Sequence, residues 1–99
     1  MARVLVADSD ARFREQYQHM FQDELVVLVS SVAQALEYLR RQAVDLVVTE
    51  WEFPEGTAHP LLEYLDRDKS TPVVLVSGTK TRLPKLPDIV KRRVFKGPG

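Results

Sequence analysis

The sequence predicts an α/β protein built on a doubly wound, parallel, five-stranded sheet. Short apolar runs recur along the chain and end in polar residues, which is typical of strands buried on both faces. Segments whose apolar side chains have helical spacing separate these runs. The chain has 99 residues, which is the size of one domain. Strands and helices that alternate in this way favour a parallel sheet with helices on both faces.

The first strand, helix and second strand are predicted within the opening third of the chain. The apolar run 4–7 is a strand that ends in acidic residues. A helix is predicted over 11–22, with Ser9 or Asp10 supplying the N-cap oxygen. The apolar stripe of this helix consists of Phe13, Tyr17, Met20 and Phe21. The second strand is predicted over 25–29.

Two further helix and strand pairs follow in the middle of the chain. Ser31 begins the second helix, and Gln34 completes a capping box with it. The run 46–49 is the third predicted strand. Thr57 is predicted to cap a third helix, and the run 73–76 is the fourth strand.

The pattern weakens in the last part of the chain. Pro84 and Pro87 leave room for only a short fourth helix around Asp88–Arg92. Val94–Phe95 is predicted as a brief fifth strand. The sequence has no internal repeat and no linker, so residues 1–99 are predicted to form a single domain.

Composition excludes several functional classes. The chain has no cysteine, which excludes disulfides, zinc–thiolate sites and thiol nucleophiles. No apolar run approaches the length of about 18 residues that a membrane helix needs. Asp8 and Asp10 interrupt the first apolar run, which argues against a signal peptide. We therefore expect a cytoplasmic protein that does not associate with membranes.

Charge is divided between the two parts of the chain. Residues 1–66 contain five basic and twelve acidic residues, for a net charge of −7. Residues 67–99 contain nine basic and two acidic residues, for a net charge of +7. We expect the two parts to attract each other when they pack. The alternative is an acidic site in one part and a basic docking surface in the other.

Polar residues at the carboxyl ends of the predicted strands form the candidate functional site. Ligands of open parallel sheets bind outside this edge. The polar groups there are Asp8-Ser9-Asp10, Thr49-Glu50-Trp51-Glu52, Ser77-Gly78 and Lys96. Neighbouring carboxylates repel each other and need a cation or a proton. Mg²⁺ or the ammonium group of Lys96 could supply the positive charge, and the sequence leaves both open.

These segments resemble the receiver domains of response regulators. Residues 4–10 are similar to the first strand and acidic corner of that family, and residues 45–54 to the strand and loop that bear its phosphoacceptor aspartate. Residues 72–78 resemble the strand that ends in the switch hydroxyl, and residues 94–96 the strand that ends in the family's lysine. The match covers nearly the whole chain and implies the flavodoxin-like receiver fold.

The phosphoacceptor position departs from the family. Glu50 stands where the resemblance places the aspartate. Its additional methylene moves the carboxylate outward, and a small misplacement of a reacting group can cost about 100-fold in rate. Ser77 and Lys96 match the switch hydroxyl and the lysine, whereas Arg93 stands at the position of the aromatic switch residue.

The metal-binding acids of the family are only partly present. Ser9 stands beside Asp8 where the resemblance implies a second acid. The resemblance therefore implies weak Mg²⁺ binding at Asp8 and Glu50, or none. Glu52 occupies the position whose backbone carbonyl contacts the metal in relatives, and its own carboxylate is a candidate compensating ligand. We expect no other cofactor.

The C-terminal part is shorter than the family pattern. The fourth helix is short, and the sequence stops where the family's fifth helix begins, so we expect a C-terminally truncated, incomplete receiver domain. Apolar sheet surface would then be exposed on one face and covered by a partner or a second copy. Trp51 lies in a strand-end loop, and we interpret it as an exposed handle for partners.

Together these features predict an atypical receiver domain of a two-component-type signalling protein. It would regulate through protein–protein contact, with no standard aspartate phosphorylation and no enzymatic activity. Glu50 and Lys96 would form a permanent charge pair. The expected partners are a kinase of a phosphorelay, an output domain, a second receiver or a second copy of the chain in a homodimer.

Two alternatives remain open. The first is a functional phosphoreceiver whose acceptor is Glu50 itself or one of three other residues, Asp8, Asp10 and Ser77. The second is binding of nucleic acid or an acidic partner through the basic segment Lys80–Lys96. Phe95 is the only aromatic residue there, and stacking platforms for bases need exposed aromatic rings, so we do not expect nucleic-acid binding by this domain alone.

Overall fold

The structure is a computed structural model that describes residues 1–78 and 82–96, so Lys80 and the segment 97–99 lie outside it. The elements are β1 (Arg3–Ala7), α1 (Ala11–Met20), β2 (Leu25–Val29), α2 (Val32–Arg41), β3 (Leu46–Glu50), β4 (Glu52–Phe53), β5 (Gly56–Thr57), α3 (His59–Asp66), β6 (Val73–Gly78) and β7 (Val90–Lys96).

Five parallel strands form the central sheet, in the order β2-β1-β3-β6-β7. The predicted doubly wound fold with a parallel, five-stranded sheet is therefore confirmed. The strand order reverses its direction of growth between β1 and β3, which pair so that Ala7 lies beside Thr49. Residues that follow these two strands consequently meet at the switch point of the sheet, where open α/β folds bind their ligands.

Each face of the sheet carries its own apolar cluster. Helices α2 and α3 cover one face, whose core includes Leu5, Val47 and Leu75. Helix α1 covers the other face, where Tyr17 and Phe21 pack against a cluster of four buried valines. These valines are Val4, Val6, Val48 and Val76. Burial on both faces explains why β1 and β3 have continuous apolar runs instead of alternating ones.

Side chains begin the helices near the predicted positions. The Asp10 carboxylate accepts a hydrogen bond from the Arg12 N–H at 2.9 Å and caps α1. Ser31 caps α2 by accepting from the Gln34 N–H, whereas the Gln34 side chain accepts from the Ser30 N–H. The predicted cap of α3 is wrong by one residue, because Ala58 is the N-cap and forms no side-chain cap bond.

The predicted short fourth helix around Asp88–Arg92 is wrong. Residues 88–89 form a turn, and the next seven residues form β7. The backbone N–H of Val73 donates to the carbonyl of Ile89 at 2.8 Å, which recruits this segment to the sheet instead of a helix. The fifth strand is accordingly much longer than the predicted pair Val94–Phe95. Within residues 1–78 and 82–96 the chain has three helices, none of which has the length and apolarity to cross a bilayer.

Trp51 is not the exposed handle that we expected. Its side chain is buried in the core, with 6% exposure. The short antiparallel hairpin of β4 and β5 turns the chain back directly after β3, and the Ala58 N–H donates to the Trp51 carbonyl at 2.8 Å. This hairpin folds the indole beneath α3, so the loop that follows Glu50 is ordered by packing.

Two further expectations need correction: the apolar sheet face left uncovered, and the attraction between the acidic and basic parts of the chain. Val48 and Val76 are almost fully buried on the α1 face, and the exposed large apolar side chains of the sheet lie on its two edge strands, Leu25 on β2 and Val94 and Phe95 on β7. The predicted attraction between the acidic and basic parts of the chain is limited. Among the described residues, the basic side chains of the C-terminal part that pair with acids are Lys69 and Lys96.

Candidate functional site

Two acidic side chains lie side by side at the carboxyl ends of the central strands. Asp8 follows β1 directly, and Glu50 is the last residue of β3. Asp8 is 1% exposed and Glu50 is 5% exposed. Since β1 and β3 pair in parallel, the topology brings these two carboxylates to the same buried edge of the sheet.

Lys96 supplies the positive charge between the two carboxylates. Its Nζ lies 3.0 Å from Glu50 Oε1 and 3.3 Å from Asp8 Oδ2. The parallel pairing of β7 with β6 places Lys96 beside Gly78, at the same edge of the sheet. Strand pairing in the sheet thus brings Lys96 close to Asp8, although the two residues lie near opposite ends of the sequence.

Backbone donors complete the coordination of both acids. The Ser9 N–H donates to Glu50 Oε2, so each oxygen of the Glu50 carboxylate has a partner within the chain. The Asp10 N–H donates to Asp8 Oδ1 at 2.9 Å. Asp8 Oδ2 is buried and accepts no hydrogen bond from the described residues, although it lies close to the Lys96 ammonium. Glu50 is therefore the more completely satisfied carboxylate of the pair.

Burial and charge shift the pKa values of two groups at this site. Burial raises the pKa of Asp8, and the neighbouring Glu50 charge acts in the same direction, against the Asp10 N–H and Lys96. Burial alone would lower the pKa of Lys96, but its hydrogen bond to Glu50 and the charges of both carboxylates outweigh it, and the pKa is raised. Lys96 is consequently held in its charged form.

Two further predicted site residues lie outside this contact set. Ser77 is on β6, 3% exposed, and its Oγ has no hydrogen-bond partner among the described residues. Glu52 is exposed on the β4 hairpin strand. The structure thus brings together Asp8, Glu50 and Lys96, with Ser9 contributing its backbone N–H instead of its hydroxyl.

Of the four carboxylate oxygens of Asp8 and Glu50, three accept hydrogen bonds within the chain, and Asp8 Oδ2 alone accepts none from the described residues. Mg²⁺ takes near-octahedral oxygen ligands and is usually held by carboxylates together with phosphate oxygens and waters. Both Glu50 oxygens already have partners, and Lys96 Nζ contacts each carboxylate. In the described parts of the chain, no group of three or more His, Asp or Glu side chains is arranged to hold a metal ion.

Sequence reasoning missed two contributors from the first turn of α1. The Lys96 Nζ lies 4.3 Å from the centre of the Phe13 ring, which is within range of a cation–π contact. Arg14 Nη1 donates to the Asp8 carbonyl at 2.7 Å. The apolar stripe of α1 predicts a packing role for Phe13 and no contact with the site. The available signal was that α1 begins directly after the acidic corner, so its first turn must face the site.

Comparison with known proteins identifies the family of the chain and relatives that share its fold. The family model for the response regulator receiver domain matches residues 4–91 of this chain. No curated protein matches the chain. The response regulator TrrA of Thermotoga maritima, solved with Mg²⁺ and BeF, has a TM-score of 0.83 and 20% identity over 98% of this chain and 88% of its own.

Two other solved structures have similar folds. A CheY-like receiver domain from Methylobacillus flagellatus has a TM-score of 0.82 and 20% identity over 100% of this chain and 89% of its own. A chain from the complex of the histidine kinase ThkA with TrrA has a TM-score of 0.79 and 20% identity over 98% of this chain and 87% of its own. The sheet order, the acidic edge with its lysine and the family match lead to one conclusion: this chain belongs to the response regulator receiver domain family of two-component signalling.

Proposed function

We propose that this chain is an atypical receiver domain that signals through protein–protein contact, without phosphorylation of Glu50 and without chemistry of its own. The observation that carries the proposal is the state of the Glu50 carboxylate. One oxygen is 3.0 Å from Lys96 Nζ, and the other accepts from the Ser9 N–H. A phosphoryl group would have to displace both partners from a residue that is 5% exposed.

The permanent Glu50–Lys96 pair then has a conformational role. It links the end of β3 to the end of β7 across β6, and it fixes the loop that begins at Trp51. A buried pair of this kind contributes little net stability, because desolvation offsets the attraction of the charges. The pair instead holds the strand-end surface in one conformation, which a partner can recognise without a phosphorylation cycle.

The neighbouring hydroxyl and carboxyl groups are poor substitutes as acceptors. Asp10 is held by the Arg12 side chain, with an Oδ2–Nη2 distance of 3.1 Å, and by its role as the cap of α1. Asp8 and Ser77 are 1% and 3% exposed. These observations favour the phosphorylation-independent module over a phosphoreceiver with a displaced acceptor.

The partner is a protein of the same signalling systems. Receiver domains bind histidine kinases, and one solved relative of this fold is in complex with the kinase ThkA. We propose that a kinase, an output domain or another receiver recognises this chain in its fixed conformation.

Phosphorylation is tested directly with a small phosphodonor and Mg²⁺, followed by intact-mass measurement. We expect no phosphoryl adduct on the natural chain. A stoichiometric adduct that is stable in acid and labile in base would contradict the proposal. The matched variant Glu50→Asp shortens the side chain by one methylene, and a gain of labelling there would identify the length of Glu50 as the obstacle.

Metal binding is tested separately by titration with Mg²⁺ while the fluorescence of Trp51 is recorded. Trp51 is a suitable reporter because it is buried and directly follows Glu50. We expect no saturable change. A saturable response that Asp8→Asn abolishes would show that the carboxylates exchange Lys96 for the ion, against the proposal.

A further inference from the structure

Strand β7 is one of the two edge strands of the sheet, and its side chains are more exposed than those of β2, the other edge strand. It pairs with β6 on one side and lies at the end of the strand order, so its outer edge has no strand partner among the described residues. Five consecutive residues of this strand, 91–95, are exposed. Such an edge presents unpaired N–H and C=O groups and is a template for another extended chain.

The side chains on this edge are unusual for a surface strand. Val94 is 38% exposed and Phe95 is 52% exposed. Three cations, Lys91, Arg92 and Arg93, precede them without an acidic partner in the described residues, and Arg93 lies over the Phe95 ring at 5.8 Å. Charged residues often protect an edge from aggregation, but the exposed Val94 and Phe95 add apolar area that protection alone does not require.

A second copy of this strand fits the edge poorly. Every antiparallel register that overlaps most of β7 with β7 of another copy places two cations opposite each other, and a parallel register places Lys91, Arg92 and Arg93 opposite themselves. Like charges directly opposite each other on paired strands are destabilising. The charge pattern therefore selects against self-association at this edge.

An acidic extended segment has the complementary pattern. Along β7, Arg92 and Val94 lie on the α1 face, and Arg93 and Phe95 lie on the face of α2 and α3. A strand with adjacent acidic residues opposite the two arginines and adjacent apolar residues opposite Val94 and Phe95 would satisfy both faces. Its backbone would fill the unpaired hydrogen-bonding groups, as in strand addition to other sheet edges.

We propose that the outer edge of β7 binds an extended, acidic segment of a partner protein, which adds to the sheet as a sixth strand. The proposal names the contact surface of the module described above. It does not depend on the phosphorylation state of Glu50, so the two proposals can fail separately.

The test uses a synthetic peptide with two valines next to three glutamates, and ¹⁵N amide spectra of the full chain. We expect the largest shifts in β7, and slower hydrogen exchange at alternate β7 amides, because only outward-facing amides gain a partner. N-methylation of the alternate peptide amides that face β7 should weaken binding about tenfold or more. N-methylation of the other alternate amides, which face away from β7, should leave binding unchanged.

The matched protein variants are Arg92→Glu with Arg93→Glu, and a control with the same charge change on α2, Arg40→Glu with Arg41→Glu. We expect the β7 variant to lose affinity for the peptide by about tenfold or more and the control to retain it. Equal binding of both N-methylated peptides would reduce the contact to unspecific charge attraction and overturn the proposal.

Two other results would also overturn it. One is a dimer of the free chain in sedimentation that the β7 variant dissociates, because a second copy would then occupy the edge. The other is tighter binding of a single-stranded oligonucleotide than of the peptide at the same salt concentration, with Phe95→Ala weakening it, because the edge would then serve nucleic acid.

Discussion

Strands β3 and β7 belong to the same parallel sheet and end at the same ion pair, yet their surroundings are opposite. Four consecutive residues of β3, from Val47 to Glu50, are buried, whereas five consecutive residues of β7 are exposed. The sequence of β3 is apolar on both faces, and that of β7 is mainly basic. Position in the sheet therefore decides which side chains a strand tolerates.

The difference also divides the functional site. Glu50 is held by strands on both sides, since β3 pairs with β1 and β6. Lys96 lies on β7, which pairs with β6 alone and is the most exposed strand of the sheet. The negative half of the site is thus part of the core, and the positive half depends on an edge that a partner can reach.

The largest expected effect comes from placing the same charge on the two strands. Val48→Asp buries an unpaired carboxylate beneath α1 and should destabilise the fold by about 4 kcal/mol or more, enough to unfold much of the protein. Val94→Asp introduces a carboxylate on β7, on the same face of the sheet, and should change the free energy of unfolding by about 0.5 kcal/mol or less. Urea denaturation measures both. Similar losses in the two variants would mean that β7 is as enclosed as β3.

The second test removes the cation from the site. Lys96→Met leaves Asp8 and Glu50 facing each other without a counter-charge, and should destabilise the fold by about 2–4 kcal/mol at pH 7. The loss should shrink as pH falls, because a proton then replaces the ammonium. The control Lys91→Met alters an exposed cation of the same strand and should have little effect. A loss at Lys96 that is independent of pH would indicate lost packing on Phe13 instead.

The titration of Lys96 at alkaline pH tests the same ion pair in the natural chain. Because the folded pKa is raised above 10.5, the stabilising charge of Lys96 is fully present below that value and is lost as pH rises through the folded pKa. Unfolding free energy should therefore fall above about pH 10.5 in the natural chain, and this fall should be smaller in Lys96→Met. Parallel curves for the two proteins would show that other groups cause the alkaline loss.

The sequence predicted the central fold because burial on both faces leaves a simple pattern. Continuous apolar runs identified β1, β2, β3 and β6, and their alternation with helices predicted the parallel order. The edge strand left no such pattern. Most of β7 is basic, so only its two apolar residues, Val94 and Phe95, were assigned to a strand, and the segment before them was assigned to a helix.

The site was predictable as far as strand ends determine it. Asp8, Glu50 and Lys96 follow from the rule that parallel strands end at one edge. The roles of Phe13 and the Ser9 N–H could not be deduced, because they depend on the rotation of α1 and the path of one backbone turn. Trp51 was misplaced because the two-residue strands of its hairpin are too short to show periodicity.

A smaller effect concerns the unpaired oxygen of the buried site. Burial raises the folded pKa of Asp8 above 3.8, so its ionisation costs stability as pH rises from that value through the folded pKa. Asp8→Asn removes this cost and should raise the stability at pH 7 by about 1 kcal/mol, with no gain below pH 3.8. Thermal unfolding at both pH values measures it. A destabilised variant at pH 7 would mean that the contact with Lys96 outweighs the burial of Asp8.

The smallest expected effect lies on β6, the strand that separates β3 from β7. Ser77 Oγ is buried without a partner, whereas the hydroxyl of Thr49 on β3 donates to the Glu50 carbonyl at 2.9 Å. Ser77→Ala removes an unsatisfied group and should change the unfolding free energy by about 0.5 kcal/mol or less, whereas Thr49→Val should cost about 1 kcal/mol. If the Ser77 variant lost as much as the Thr49 variant, the hydroxyl of Ser77 would have a partner in solution. Together with a labelling test on Ser77→Ala, that result would give the switch position of the family a role in this chain that its buried geometry does not predict.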